Sequence, residues 1–131
     1  MTDRLDVFFY GLFMDAGLLE AKGVHVEDHH VGWLENTRLF VGARAGLTDQ
    51  PGSRAYGVVM SLPRADVEAL YADDSLRSYQ PEEVEVVIED GRTRSAVCYN
   101  VRREDAGEPD PGYASRLREV ARRVGLPDDY V

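Results

Sequence analysis

The chain has little that would support a disulfide, a multi-cysteine metal centre or a membrane span. Its 131 residues include one cysteine, Cys98, which excludes an internal disulfide and a zinc site built from several cysteines. No apolar run approaches the roughly 18 to 20 residues that a membrane-spanning helix needs. Asp3, Arg4 and Asp6 precede a very short apolar run, which is not the layout of a secretory signal. We therefore expect a cytoplasmic protein with no membrane partner.

Basic residues are also scarce. The chain has 15 Lys and Arg against 24 Asp and Glu, a formal net charge of −9. Because such a surface repels phosphate backbones, the composition argues against a nucleic-acid partner. Four arginines near the C-terminus have helical spacing and are expected to form a solvated helix face: Arg116, Arg118, Arg122 and Arg123. The length and the apolar fraction of 44% predict a single globular domain over residues 1–131.

Metal and cofactor signatures are weak or missing. His25, His29 and His30 lie in one charged segment, but adjacent histidines point in different directions on a helix or a strand. No distant ligand of matching type accompanies them, so we expect exposed loop histidines and no metal site. The chain also lacks a Gly-x-Ser-x-Gly motif, a Walker loop and a dinucleotide fingerprint.

The most informative segment lies near the start. Val7 to Tyr10 are four consecutive strand-forming residues and predict a buried strand. We expect Gly11 to take a backbone geometry closed to other residues and to let a ligand approach the main chain. Asp15 is a candidate N-cap for a short helix through about Glu20. Two interpretations stay open, a backbone cradle for an anion or merely the first core strand and its turn.

The rest of the chain predicts more strands than helices. Val31–Leu34 and Thr37–Val41 are expected to pair around a turn at Glu35-Asn36, followed by a loop over residues 46–54. The remaining predicted elements are a central strand Ala55–Leu62 with close packing or a bulge at Gly57, a helix from Pro63 through Tyr71, a hairpin of Glu83–Glu89 and Thr93–Val101 around Asp90-Gly91, and a helix Tyr113–Val124 ended by Gly125. Together they predict an α+β domain whose sheet can close on itself.

Asp73 and Asp74 follow the helix that begins near Pro63. Two acids at a helix C-terminus are electrostatically unfavourable, because the helix dipole places partial negative charge there. The same field raises the pKa of a carboxylate and makes it a better base. The alternative is that both acids are ordinary solvated loop residues.

Four short motifs, in this order along the chain, resemble the gamma-glutamylcyclotransferase-like family. They are Tyr-Gly-Leu-Phe at 10–13, Tyr-Gly-Val-Val at 56–59, Leu-Tyr-Ala-Asp-Asp-Ser at 70–75, and a tail with Glu-Pro-Asp-Pro-Gly-Tyr at 108–113 and Gly-Leu-Pro-Asp-Asp-Tyr at 125–130. The resemblance covers nearly the full chain, and the order of the motifs carries it.

The resemblance implies a small mixed, mostly antiparallel β-barrel with short flanking helices and a cavity at one barrel end. It implies a small-molecule γ-glutamyl substrate, with Asp74 as the catalytic acid-base residue and no metal or organic cofactor. The implied substrate-binding residues are Tyr10, Gly11, Leu12, Phe13 and Tyr99. The oligomeric state stays open, with a homodimer as one expectation.

Three departures from the family pattern touch this implied site. Asp74 stands where the family has glutamate, Ser75 replaces a glycine, and Leu12 and Phe13 replace small polar residues. The first hypothesis is an enzyme that releases 5-oxoproline from a γ-glutamyl amine or amino acid. The alternative is a catalytically altered or inactive member that binds a small carboxylate or amide ligand.

Overall fold

The computed structural model describes residues 4–24, 26–72, 78–101, 107–108 and 110–127. Its elements, in chain order, are β1 (Arg4–Phe9), a 3-10 helix (Leu12–Met14), α1 (Ala16–Ala21), β2 (Glu27–Val41), β3 (Ala45–Pro63), α2 (Arg64–Leu70), β4 (Gln80–Ile88), β5 (Thr93–Asn100) and α3 (Pro111–Arg123). None of the helices in these ranges is long and apolar enough to cross a membrane.

The strands form a closed barrel in the order β1-β3-β2-β4-β5. Neighbouring strands are antiparallel except β1 and β5, which run parallel and meet at Val7 and Val97. The barrel is therefore mixed but mostly antiparallel, with short helices beside it, and the predicted fold class is confirmed. The core contains Phe8, Phe9 and Met60, each at most 2% exposed. Both faces of β1 are buried from Val7 to Phe9, as the apolar run there predicts.

The prediction for residues 31–54 was wrong in two respects. No turn divides β2 at Glu35-Asn36, and the segment predicted as a loop belongs to β3. On β2, Glu35 pairs with Arg54 and Thr37 pairs with Asp49, so the strand register shifts between these two pairs. The single residue Asn36 is therefore opposite a longer stretch of β3. Asn36 has φ 55°, and its side-chain oxygen accepts a hydrogen bond from Gly52 N–H at 3.0 Å. The turn-forming residues thus build a bulge inside a paired ribbon.

The local helix and hairpin signals were correct. The Asp15 carboxylate accepts from Gly17 N–H and caps α1, and Gly125 follows α3 at φ 90°. Gly91 takes φ 91° in the turn between β4 and β5. Gly57 is required for close packing, because a Cβ there would lie 2.2 Å from the Phe9 carbonyl oxygen. These signals are local, and each one ends or bends an element where the sequence predicts.

Candidate functional site

A cavity of about 170 Å³ opens where β1 ends. We call it the tyrosine pocket, and its lining residues are Phe9, Tyr10, Gly11, Leu12, Phe13, Leu18, Arg44, Ala45, Tyr71, Tyr79, Tyr99 and Tyr113. The chain has seven tyrosines in all, and five of them line this one cavity. The walls are therefore mainly aromatic, with hydroxyl groups as their polar component.

The loop after β1 forms one wall of the pocket. The carbonyls of Gly11 and Leu12 accept from the N–H groups of Met14 and Asp15, which makes the 3-10 helix. Within the described chain, no backbone carbonyl outside the regular elements accepts from the N–H groups of Leu12 and Phe13. A helix start leaves such groups unpaired. Both residues line the tyrosine pocket.

Gly11 does not have the backbone geometry that the sequence predicts. Its φ is −111°, a value that any residue adopts, so backbone conformation does not require a glycine here. A Cβ at Gly11 would lie 3.4 Å from the Tyr113 hydroxyl oxygen and 3.9 Å from Ala45 Cβ. Both are ordinary contacts. Gly11 lines the pocket, and its role in letting a ligand approach the main chain stays a prediction.

Asn100 joins three segments beneath Tyr10. Its side-chain oxygen accepts from Leu47 N–H at 2.8 Å and from Val101 N–H at 2.9 Å, and its amide donates to Leu47 O at 3.1 Å. The Tyr10 hydroxyl donates to Tyr99 O at 2.8 Å and approaches the Asn100 oxygen at 3.4 Å. This network connects two lining residues of the pocket, Tyr10 and Tyr99, to β3 and the end of β5.

Aromatic contacts hold the opposite wall. The Tyr71 ring stacks on the Tyr99 ring with centroids 4.0 Å apart and planes 7° apart. Phe13 meets Tyr71 edge to face at 5.9 Å, and Phe9 meets Phe13 in the same way at 5.9 Å. A chain of rings therefore runs from β1 through the loop to the end of α2. It ties the residue after α2 to the return strand β5.

Two further tyrosines complete the wall around Ala45. The Tyr79 hydroxyl donates to Ala45 O, and the Tyr113 hydroxyl lies beside Gly11. Tyr113 belongs to the first turn of α3, and an ion pair between Arg123 and Asp15 attaches the far end of α3 to the cap of α1. The C-terminal helix is thus held against the loop that follows β1.

Burial raises the pKa of Tyr10, Tyr71, Tyr79 and Tyr113 above the usual value of 10.0. Desolvation is the largest cause in every case, because a phenolate loses more than a neutral phenol on leaving water. These phenols are protonated at neutral pH and act as hydrogen-bonding groups. None of the lining residues that the structure describes is a carboxylate or a histidine. A proton acceptor for chemistry in this pocket has to come from elsewhere in the chain.

The structure brings five of the predicted site residues to one cavity: Tyr10, Gly11, Leu12, Phe13 and Tyr99. Their role in binding stays a prediction. The predicted catalytic residue, Asp74, and its neighbour Asp73 lie outside the described residues. His29 is exposed and His30 half-buried on β2, and His25 is not described. Among the residues that the structure describes, no group of three or more potential ligands is arranged to hold a metal ion.

The sequence reasoning missed seven residues that line this pocket: Phe9, Leu18, Arg44, Ala45, Tyr71, Tyr79 and Tyr113. They come from several separate segments, and no shared spacing connects them. Tyr113 was visible as the tyrosine of the tail motif, but only as a mark of family resemblance. The enrichment of tyrosine over phenylalanine, seven against four, was the available signal, although it does not say which tyrosines meet.

Comparisons with known proteins agree with this architecture. A gamma-glutamylcyclotransferase of Bos taurus is 26% identical over 91 residues, which are 68% of this chain and 48% of that protein. The chain therefore spans about half the length of this curated relative. A solved gamma-glutamyl cyclotransferase superposes with a TM-score of 0.80 at 19% identity, over 98% of this chain and 84% of its own.

A second solved structure, a gamma-glutamyl cyclotransferase specific to glutathione from yeast, has a TM-score of 0.65 at 12% identity, over 96% of this chain and 90% of its own. At such identities the two structures establish the fold alone. The model of the AIG2-like family matches residues 54–131, which is more than half of the chain. The chain therefore belongs to the AIG2-like family, a gamma-glutamylcyclotransferase-like family.

Proposed function

We propose that the protein is a γ-glutamyl cyclotransferase, which releases 5-oxoproline from a γ-glutamyl amine or amino acid. The observation that carries the proposal is the tyrosine pocket itself, because the loop Tyr10–Phe13 and Tyr99 line one cavity in a gamma-glutamylcyclotransferase-like fold. The catalytic and substrate-binding roles come from the family resemblance. The lining of the pocket supports the substrate-binding roles, whereas the catalytic role of Asp74 rests on the resemblance alone.

The reaction needs no group other than the substrate and a base. The base takes a proton from the substrate α-ammonium, and the freed amine attacks the γ-carbonyl carbon of the same molecule. A new C–N bond closes the five-membered ring, the original amide C–N bond breaks, and the leaving amine takes up the proton. Because the attack is intramolecular, the protein has to hold one conformer and move one proton.

The loop after β1 is the proposed holder of the substrate α-carboxylate. The N–H groups of Leu12 and Phe13 have no backbone acceptor in the described loops, and the absence of a side chain at Gly11 leaves room beside them. Backbone N–H groups at a helix start favour an anion. The neutral phenols of Tyr10 and Tyr113 border the same space. They exclude water from one side of the ligand.

Asp74 is the proposed base. The undescribed segment 73–77 lies between Tyr71 and Tyr79, both of which line the tyrosine pocket. In the sequence, Asp74 is three residues after Tyr71 and five residues before Tyr79. The described lining offers no other carboxylate or histidine. A carboxylate from this segment supplies the proton acceptor that the rest of the pocket lacks.

The direct test is to incubate the purified protein with a panel of γ-glutamyl amines and γ-glutamyl amino acids and to measure 5-oxoproline. We expect the native protein to form 5-oxoproline. Asp74→Asn should lower the rate by at least about 100-fold, which is in the range of general-base contributions, and should leave the free energy of unfolding unchanged. Asp74→Glu distinguishes a working aspartate from a decayed site. Product formed by Asp74→Glu alone would mean that the native chain has lost catalysis, and full activity in Asp74→Asn would reject Asp74.

Gly11→Ala tests the loop independently of the base. The added methyl group makes only ordinary protein contacts, and the backbone conformation suits alanine, so stability should change by less than about 0.5 kcal/mol. The same methyl group projects into the pocket beside the loop, so we expect kcat/KM to fall by at least about tenfold. Unaltered kinetics in a folded Gly11→Ala protein would place the substrate elsewhere.

A further inference from the structure

The described lining of the tyrosine pocket contains one charged side chain. Arg44 is this residue, and it lies half-buried between β2 and β3. The remaining described lining is aromatic, aliphatic or glycine. Arg44 lines the pocket beside Ala45, whose carbonyl accepts from the Tyr79 hydroxyl. The Arg44 guanidinium has five N–H donors to offer a ligand.

Arg44 differs from five other arginines that the structure describes. Those at positions 4, 54, 92, 94 and 123 each form an ion pair with an aspartate or glutamate. No carboxylate of the described residues lies within 4.0 Å of the Arg44 guanidinium. In a chain with nine more negative than positive charges, an unpaired arginine in a cavity is a site for an anion of the ligand.

The γ-glutamyl head group does not need this charge. Its α-ammonium and α-carboxylate cancel, and the proposed function assigns its carboxylate to the loop after β1. A second carboxylate on the leaving group makes the substrate an anion, which the net charge of −9 repels unless a local cation binds it. An uncharged leaving group gives Arg44 nothing to pair with. The free guanidinium therefore suits a substrate that carries two carboxylates.

We propose that Arg44 binds a carboxylate of the leaving group and thereby selects γ-glutamyl amino acids over γ-glutamyl amines. This inference rests on the proposed function for the identity of the γ-glutamyl head group. Arginine and carboxylate pair through two parallel N–H···O bonds, so the preference depends on the planar guanidinium as well as on its charge. Lysine at this position retains only part of the preference.

A matched substrate pair isolates the carboxylate. γ-Glutamyl-leucine and γ-glutamyl-3-methylbutylamine differ only in that group, and the shared isobutyl chain suits the apolar lining. We expect the protein to favour γ-glutamyl-leucine in kcat/KM by about 10- to 100-fold, the range of a charged hydrogen bond. In Arg44→Met this ratio should fall close to one, and in Arg44→Lys it should lie between the two values.

Arg38→Met is the matched control, since Arg38 is an exposed arginine of β2 that does not line the pocket. It should keep the full ratio. The inference is overturned if the native protein shows no preference, if Arg44→Met leaves the ratio unchanged, or if Arg44→Met lowers kcat/KM equally for both compounds. The last result would assign Arg44 to the common γ-glutamyl head.

Binding separates this inference from the proposed function. If no compound yields 5-oxoproline, the cyclotransferase proposal fails, and the two compounds are then titrated calorimetrically into the native protein and Arg44→Met. Tighter binding of γ-glutamyl-leucine that disappears in Arg44→Met supports Arg44 as the carboxylate site even without turnover. Equal affinities of both compounds for the native protein overturn it.

Discussion

The two ends of the barrel are built from the same strands with opposite chemistry. At one end, Asp6 of β1 pairs with Arg94 of β5, and we call this pair the charged end. At the other end, Tyr10 follows β1 and lines the tyrosine pocket, and its hydroxyl lies 3.4 Å from the side-chain oxygen of Asn100 of β5. Asp6 and Tyr10 lie on one face of β1 by alternation, and Arg94 and Asn100 on one face of β5.

The difference is that one end of the barrel pairs its charged side chains with each other, whereas the other end has a cavity that can hold a ligand. The charged end satisfies its charges internally, because the Arg94 guanidinium donates to both oxygens of Asp6 at 3.1 and 3.2 Å. At the other end, the hydrogen bonds of Tyr10, and those of Asn100 with Leu47, are formed between uncharged groups instead. The only cation in the described lining of the tyrosine pocket, Arg44, therefore remains available to a ligand. The comparison predicts different responses of the two ends to pH, mutation and salt.

The largest expected effect is alkaline unfolding that originates in the tyrosine pocket. The folded-state pKa of Tyr10, Tyr71, Tyr79 and Tyr113 is raised above 10.0. Stability from these groups is therefore complete below pH 10 and is lost as the pH rises toward the folded-state values. Between pH 10 and its folded-state pKa, each such tyrosine lowers the free energy of unfolding by about 1.4 kcal/mol per pH unit, and the contributions of the tyrosines add.

Urea unfolding between pH 8 and 11 measures this slope, and absorbance of tyrosinate at the same pH values reports the ionisation. In Tyr71→Phe, the number of protons released on unfolding, obtained from the pH slope of the free energy of unfolding, should fall by about one. Tyrosines of the pocket that ionise freely near pH 10 in the folded protein would contradict the assignment of the raised pKa to burial.

Removal of the Asn100 amide is expected to have the next largest effect. Asn100→Leu keeps the volume but leaves the buried N–H and C=O groups of Leu47 without their partner. The free energy of unfolding should fall by about 3 kcal/mol. Tyr10→Phe removes only one hydroxyl from the same network and should cost about 1 kcal/mol. Equal losses, measured by urea unfolding at pH 7, would show that Asn100 is not the centre of the network.

The parts of the fold that were predictable are those with a local cause. Asp15 caps α1 through its own side chain, and Gly91 and Gly125 take positive φ values that glycine favours. The turn-forming residues of β2 and β3 were misleading for the opposite reason. The Asn36 side chain is satisfied by Gly52, sixteen residues away, so pairing of the two strands outweighs the local tendency to turn.

The candidate site was predictable only where the family motif or a strand end marked it. The loop after β1 and Tyr99 were found in this way, and the structure brings them to one cavity. Arg44, Tyr79 and Tyr113 reach that cavity through barrel closure and the docking of α3, which depend on contacts distant in sequence. Neither periodicity nor spacing records such contacts. The missed residues therefore include the charge on which substrate selection is proposed to depend.

The smallest expected effect is at the charged end. The side chains of Arg94 and Asp6 are 27% and 34% exposed, and Asp28 offers Arg94 a second carboxylate at 3.9 Å. Solvent screening and this substitute partner limit the loss, so a double-mutant cycle of Asp6→Asn and Arg94→Met should give a coupling of about 0.5 to 1 kcal/mol. The coupling should shrink further in 1 M salt, where the screening length is about 3 Å. A coupling free energy larger than the loss in Asn100→Leu, and unchanged in 1 M salt, would reverse the comparison. The charged end would then stabilise the barrel more than the hydrogen bonds of Asn100 do.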